Sequence, residues 1–260
     1  MISSFFITEW AGEVPWRSRD QVEQDLLLAR LIVEIANDPY LGDELVFRGG
    51  TCLHKLHLSP GLRYSEDLDY VRRSDGGIGD LLTALRSIGE RLEMKVNVDL
   101  TKYPKVRYRA PFESGTGTMR IKIEVNTYER SPALPLVRVP LEVNSGWFNG
   151  AADVQTFALA ELVATKLRAL YQRSKGRDLF DLWLALTTLA VAPDDILAGF
   201  VPYRPENYTG TLAIANLAAK LDTDLFRSDI SGLSVGAATL GYSIDDAAAL
   251  VIDQLLRRIR

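Results

Sequence analysis

Between Ser18 and Asn37 apolar residues recur at three- and four-residue spacing, at Val22, Leu26, Ala29, Leu31, Val33 and Ile35. That period predicts an amphipathic helix stopped before Asp38-Pro39. The pattern then shortens. LVF (45–47) reads as a short strand, Gly49-Gly50 breaks it, and TCLHKLHL (51–58) is a helical turn or two ended by Ser59-Pro60-Gly61. LRYSEDLDYV (62–71) alternates as a strand should, and DGG (75–77) turns the chain. Ile78–Met94 reads as a helix with Leu81, Leu82, Leu85, Ile88 and Leu92 along one side. Strands are predicted at KVNVDL (95–100), KVRYRAPF (105–112) and MRIKIEVNTY (119–128), with a turn over 114–118, and a final one around LVRVPLEV (136–143).

Past Gly150 the texture changes to alanine- and leucine-rich helix. Thr156–Arg173 and Asp178–Leu189 are strong helical patterns; Pro193, Pro202 and Pro205 punctuate a looser region before helices near 211–221 and 244–259. The expected fold is α/β of the α+β kind. A mixed sheet with flanking helices spans residues 1–150, and a helical part spans 151–260 and closes a cleft against it.

Composition narrows the chemistry. With 47% hydrophobic and 25% charged residues this is an ordinary globular chain, not a disordered one. It has no apolar run of bilayer length, and MISSFFITEWAGEVPW lacks the basic and apolar regions of a signal peptide, so the expectation is a cytoplasmic protein that avoids membranes. Cys52 has no partner for an internal disulfide. Together with His54 and His57 alone it argues against a Cys/His zinc site, so any metal should be held by oxygen. The histidines themselves read as partly exposed on a short helix. A net charge of -4 does not advertise nucleic-acid binding, but TKYPKVRYR concentrates Lys102, Lys105, Arg107 and Arg109 among tyrosines. Those cations form either a solvated strand face or a local anion-binding patch.

Side chains alternate between the faces of a strand, so Arg63, Ser65, Asp67 and Asp69 share one face. Neighbouring same-face carboxylates repel each other unless a cation sits between them, and Mg²⁺ or Mn²⁺ accepts such oxygen ligands. In RIKIEVN the polar set Lys122, Glu124 and Asn126 faces one side. Glu124 completes a three-carboxylate metal cluster with Asp67 and Asp69 if the two strands are neighbours. Gly49 and Gly50 let the backbone approach a ligand closely, and successive amides at a strand-to-helix turn suit phosphate oxygens, with the Thr51 hydroxyl beside them. Arg48 and Lys55 add positive charge near such a group, and Lys55, on the same short helix, is the one taken as a site residue. Lys166 falls inside the apolar stripe Leu159, Leu162, Val163, Leu167 and Leu170, and Asp178 and Asp181 lie three apart on the next helix. Lys166 either snorkels from the stripe edge or reaches phosphates in a cleft.

Gly-Gly-Thr followed by Asp-x-Asp resembles the nucleotidyltransferase superfamily related to DNA polymerase beta. More specifically, FRGGTCLHKLHL with RYSEDLDYV, and KLRALYQRSKGRDLFDL over 166–182, resemble the AbiEii-type nucleotidyltransferase toxins, which include the mycobacterial MenT enzymes. The resemblance covers about residues 45–190. It implies transfer of a nucleoside monophosphate from an NTP to a hydroxyl, most simply a tRNA 3′ end, with a cognate antitoxin as partner. It also implies that Lys166 contacts the nucleotide, that Asp178 or Asp181 belongs to the active site, and that Ser65 lies in the nucleotide-binding motif. A protein or small-molecule acceptor, a metal-dependent glycosyltransferase and a non-catalytic nucleotide-binding module are the alternatives.

Overall fold

The computed structural model describes residues 2–234 and 240–260. The chain divides into two compact units, one of residues 1–131 and 136–156, the other of 132–135 and 157–260.

In the first unit, helices α1 (Ser4–Trp10), α2 (Arg19–Asn37) and α3 (Leu41–Glu44) lead into strand β1 (Leu45–Arg48), helix α4 (Gly49–Leu56) and strand β2 (Asp67–Arg72). Helix α5 (Gly79–Arg91) and strands β3 (Lys95–Asp99), β4 (Lys105–Pro111), β5 (Thr118–Asn126), β6 (Val137–Asn144) and β7 (Asn149–Thr156) follow. The seven strands form one mixed sheet in the order β3-β4-β5-β2-β1-β7-β6. β1 runs parallel to β7 and β2 parallel to β5; the other neighbours are antiparallel.

One sheet face is apolar. Leu68, Val106, Tyr108, Ile121 and Ile123 are fully buried, and the core also takes in Leu26, Leu28, Leu31, Ile32 and Ile35 of α2 and Leu85 and Ile88 of α5. Gly89 lets α5 lie close: a Cβ there would stand 2.5 Å from Val96 and 2.9 Å from the Tyr108 ring. At about 25 cal/mol per Å² of apolar surface, such burial is the main stabilising term. It leaves the alternate residues of each strand on the opposite face.

Two expectations need correction here. The strand expected from Leu62 begins only at Asp67, because β1 ends at Arg48 opposite Asp69 and the chain turns into α4, leaving residues 63–66 no ladder on that side. Strand β7 was not anticipated; glycine, two alanines and an aspartate in NGAADVQT conceal the alternation of buried Ala152, Val154 and Thr156. The helix expected from Thr156 therefore starts at Leu159.

The second unit contains α6 (Leu159–Gln172), α7 (Gly176–Thr187), α8 (Pro193–Phe200), α9 (Gly210–Leu221), α10 (Asp224–Ser228) and α11 (Ile244–Gln254). Pro193, read as loop punctuation, is the first residue of α8, where its missing N–H costs nothing. The fully buried Glu161 carboxylate organises this unit, accepting the Ala133 and Leu134 amides at 2.8 Å each and the Tyr203 hydroxyl at 2.6 Å. Residues 235–239 of the C-terminal tail lie outside the described residues. Among the described residues no helix is long and apolar enough to cross a membrane.

Candidate active site

Strand register builds the site. Asp69 pairs with Glu124 on β5 and with Arg48 on β1, while Glu124 pairs with Lys105 on β4. Residues directly opposite across a ladder share a face. Lys105, Glu124, Asp69 and Arg48 thus form one row across four strands. Asp67 stands in the next row beside Lys122, which in turn faces Arg107.

The lysines neutralise two of the three carboxylates. The Lys122 ammonium lies 3.0 Å from Asp67 Oδ2 and 3.7 Å from Glu124 Oε2, and Lys105 lies 3.3 Å from the same Glu124 oxygen. Asp69 differs. Burial pushes its carboxyl above the usual carboxylate range, the charges of Asp67 and Glu124 push the same way, and Arg48 and Lys122 only partly offset them. An acid so placed gains from a further positive charge.

Gly49 is the reason Asp69 fits. Its φ of +86° lies in the left-handed region, and a Cβ there would stand 2.5 Å from Asp69 Oδ2. The bend that opens α4 thus rests directly on this carboxylate. The next residue, Gly50, lies under the Arg63 guanidinium, with only 2.3 Å between a virtual Cβ and Arg63 Nη2. Thr51 donates its hydroxyl to the Asp67 carbonyl at 2.5 Å and stands 2.8 Å from Ser65 Oγ. Helix α4 is thereby tied to the strand that carries the aspartates.

A small cavity beside this tie is lined by Thr51, Lys55, Arg63, Ser65, Asp25 and Trp16. The Lys55 ammonium is engaged there by the buried Asp25 carboxylate at 2.7 Å, and Asp25 also accepts the Trp10 indole N–H at 3.0 Å. His54 is buried rather than partly exposed, its Nδ1 accepting the Leu62 amide at 3.2 Å; burial lowers the pKa of His57.

Lys166, Asp178 and Asp181 come together in the second unit. The buried Lys166 ammonium is 2.8 Å from Asp181 and 3.7 Å from Asp178, and Arg173 grips Asp178 with two 2.7 Å contacts. Both aspartates are fully buried. Asp178 lies in the first turn of α7, where the helix dipole also favours its charge.

Sequence reasoning undervalued Arg48, Arg63, Lys105 and Lys122 at this site. Alternation had placed Arg63 on the aspartate face and Lys122 beside Glu124, so the signal was present for both. Arg48 stands next to the glycine turn and was set aside in favour of Lys55; for Lys105 only the register places it beside Glu124.

The oxygen donors of Asp67 and Asp69 fit a hard divalent ion, and the raised Asp69 acid is the group such an ion relieves. Lysines engage Asp67 and Glu124 alike, and among the described residues no three His, Cys, Asp or Glu side chains are gathered to hold a metal.

A family model described as the nucleotidyl transferase AbiEii toxin of a type IV TA system matches residues 30–248, most of the chain. The protein is therefore a nucleotidyltransferase. It belongs to the AbiEii toxin family. Among solved structures, JHP933 from Helicobacter pylori aligns with a TM-score of 0.53 at 18% identity, covering 93% of each chain. The nucleotidyltransferase toxin MenT4 from Mycobacterium tuberculosis H37Rv aligns with a TM-score of 0.51 at 19% identity, covering 96% of this chain and 99% of that one. At these identities the likeness is one of fold. No curated protein matches.

Proposed function

We propose that the protein moves a nucleoside monophosphate from an NTP to the 3′ hydroxyl of a tRNA, with Asp67 and Asp69 holding Mg²⁺ or Mn²⁺, as the toxin countered by a cognate antitoxin. The observation that carries this reading is the contact between the Gly49 bend and Asp69, which sets a helix N-terminus against a carboxylate whose ionisation is disfavoured. The bound divalent ion would supply charge neutralisation of the triphosphate and of the leaving pyrophosphate. Around it, the Gly49 and Gly50 amides and the start of α4 offer donors to phosphate oxygens. Thr51 and Ser65 keep that start registered on β2. Arg63, packed on Gly50, sets positive charge beside those amides.

Glu124 lies in Asp69's row as the remaining carboxylate. Its assignment is to accept the proton of the attacking hydroxyl once Lys122 and Lys105 release it. Lys55 is assigned a structural place, since its charge is balanced by Asp25. For Lys166, the burial and the close pair with Asp181 support an ionic core for the helical unit over direct phosphate contact.

Purified protein should be incubated with each α-³²P-labelled NTP and total tRNA, with Mg²⁺ or with chelator. Label should enter RNA only with the metal, and Asp67→Ala and Asp69→Ala should abolish it while far-UV circular dichroism is unchanged. Label in protein, or in neither acceptor, would overturn the tRNA assignment. An active Asp69→Ala protein would overturn the metal assignment.

A further inference from the structure

The sheet face that bears the carboxylates carries a third row. Lys95 on β3 pairs with Arg109 on β4, and Arg109 pairs with Arg120 on β5, which sets three cations abreast on adjacent strands. Strands lie about 4.8 Å apart, so the three Cα atoms span roughly 10 Å. All three residues are exposed. Among the described residues none of these side chains makes an ion pair or hydrogen bond.

The neighbouring rows behave differently. Arg107 is paired with Asp99, Lys122 with Asp67 and Lys105 with Glu124. The cations in the rows of Asp67 and Glu124 are thus paired, and those of the third row are left unpaired. Like charges directly opposite each other across a ladder cost stability. A solvated face would gain by varying them, whereas a polyanion turns the same repulsion into attraction.

Resting on the tRNA reading above, we infer that Lys95, Arg109 and Arg120 form a track for the phosphate backbone of the RNA acceptor. The track shares the face of Asp69 and Glu124. Arg120 precedes Glu124 by four strand residues, roughly 13 Å. A backbone lying on it therefore reaches the carboxylate row within a few nucleotides. Of the four cations that cluster in TKYPKVRYR, only Arg109 belongs to the track: Lys105 and Arg107 are neutralised, and Lys102 sits over the Tyr103 and Tyr128 rings.

The test is the salt dependence of binding of a labelled single-stranded RNA 20-mer, measured for the wild type, for Lys95→Ala/Arg109→Ala/Arg120→Ala, and for a control, Arg86→Ala/Arg257→Ala, that removes exposed cations elsewhere. Each phosphate contact adds about -0.7 to the slope of log K against log salt, so the triple variant should lose about 2 from the slope and bind about 10²-fold more weakly at 0.1 M salt. The control should keep the wild-type slope. NTP affinity should be equal in all three proteins, and the melting temperature of the triple variant should not fall. Wild-type binding that the triple variant retains overturns the track and leaves the tRNA reading standing. A wild type that binds no RNA sinks both. A matching loss of NTP affinity would reassign the row to the donor, and polyglutamate competing as well as RNA would reduce it to a general anion patch.

Discussion

Gly49→Ala separates the two tasks that one glycine performs. A side chain at φ +86° incurs a left-handed penalty of about 1–2 kcal/mol. Its Cβ would also stand 2.5 Å from Asp69 Oδ2, where ordinary contact begins at 3.4 Å, so the carboxylate must retreat by about 1 Å. Misplacement of a reacting group on that scale costs about 10²-fold in rate. Gly76→Ala is the matched control: its φ is +92°, yet nothing lies within 4 Å of the new Cβ. Both variants should lose roughly 2–8 °C of melting temperature. Only Gly49→Ala should also lose about 10²-fold in pyrophosphate release with NTP and total tRNA. If the two variants keep equal activity, Asp69 is not positioned by the bend and the site reading fails.

Three further outcomes follow from charges. Asp69 has a raised folded pKa, so the folded state binds its proton more tightly than the unfolded chain and loses stability as pH rises through that interval; Asp69→Asn should raise the melting temperature at pH 7 while abolishing transfer, and a fall would contradict it. Lys166→Met removes a buried ammonium from beside two buried aspartates, which should destabilise by about 3–5 kcal/mol in urea titration, with partial recovery in Lys166→Met/Asp181→Asn; a lysine serving only the nucleotide would leave stability unchanged. Burial opposes ionisation of Glu44, but hydrogen bonds from Ser74 and Arg72 outweigh it and hold its pKa below 4.5, so its contribution is present above that value and lost as pH falls through the lowered one. Glu44→Gln should flatten the acid limb of the stability curve, and an unchanged limb would rule the pair out as its cause.

Much of this was legible in the chain. The periods of two and 3.6 located α2, α4, α5, β1, β3 to β6 and, in the second unit, α6, α7, α9 and α11, because each buries one apolar face and the pattern records it; α8 and α10 were not read. Strand β7 escaped because its pairing with β1 and β6 is satisfied by the backbone, and small side chains suffice beside Phe47. The aspartate pair was visible as a motif, and so was the glycine bend. What could not be read was which cations the register would bring to them. Residue 48 meets residue 69 through a short antiparallel pair, and residue 105 meets residue 124 through another, and neither offset is written in local spacing.

That register explains how three carboxylates coexist on neighbouring strands. β2 and β5 are parallel, so Asp69 and Glu124 stand side by side although 54 residues separate them, and a like-charge pair there is unfavourable. Lys122 offsets the cost by standing between Asp67 and Glu124, and Lys105 takes the far side of Glu124. Asp69 alone of the three keeps no ammonium within ion-pair distance among the described residues, and burial pushes its carboxyl above the usual carboxylate range. The sheet spends its lysines on Asp67 and Glu124 and leaves the carboxylate against the glycine bend wanting a positive charge, which is what the metal-bound nucleotide of the proposed reaction would supply.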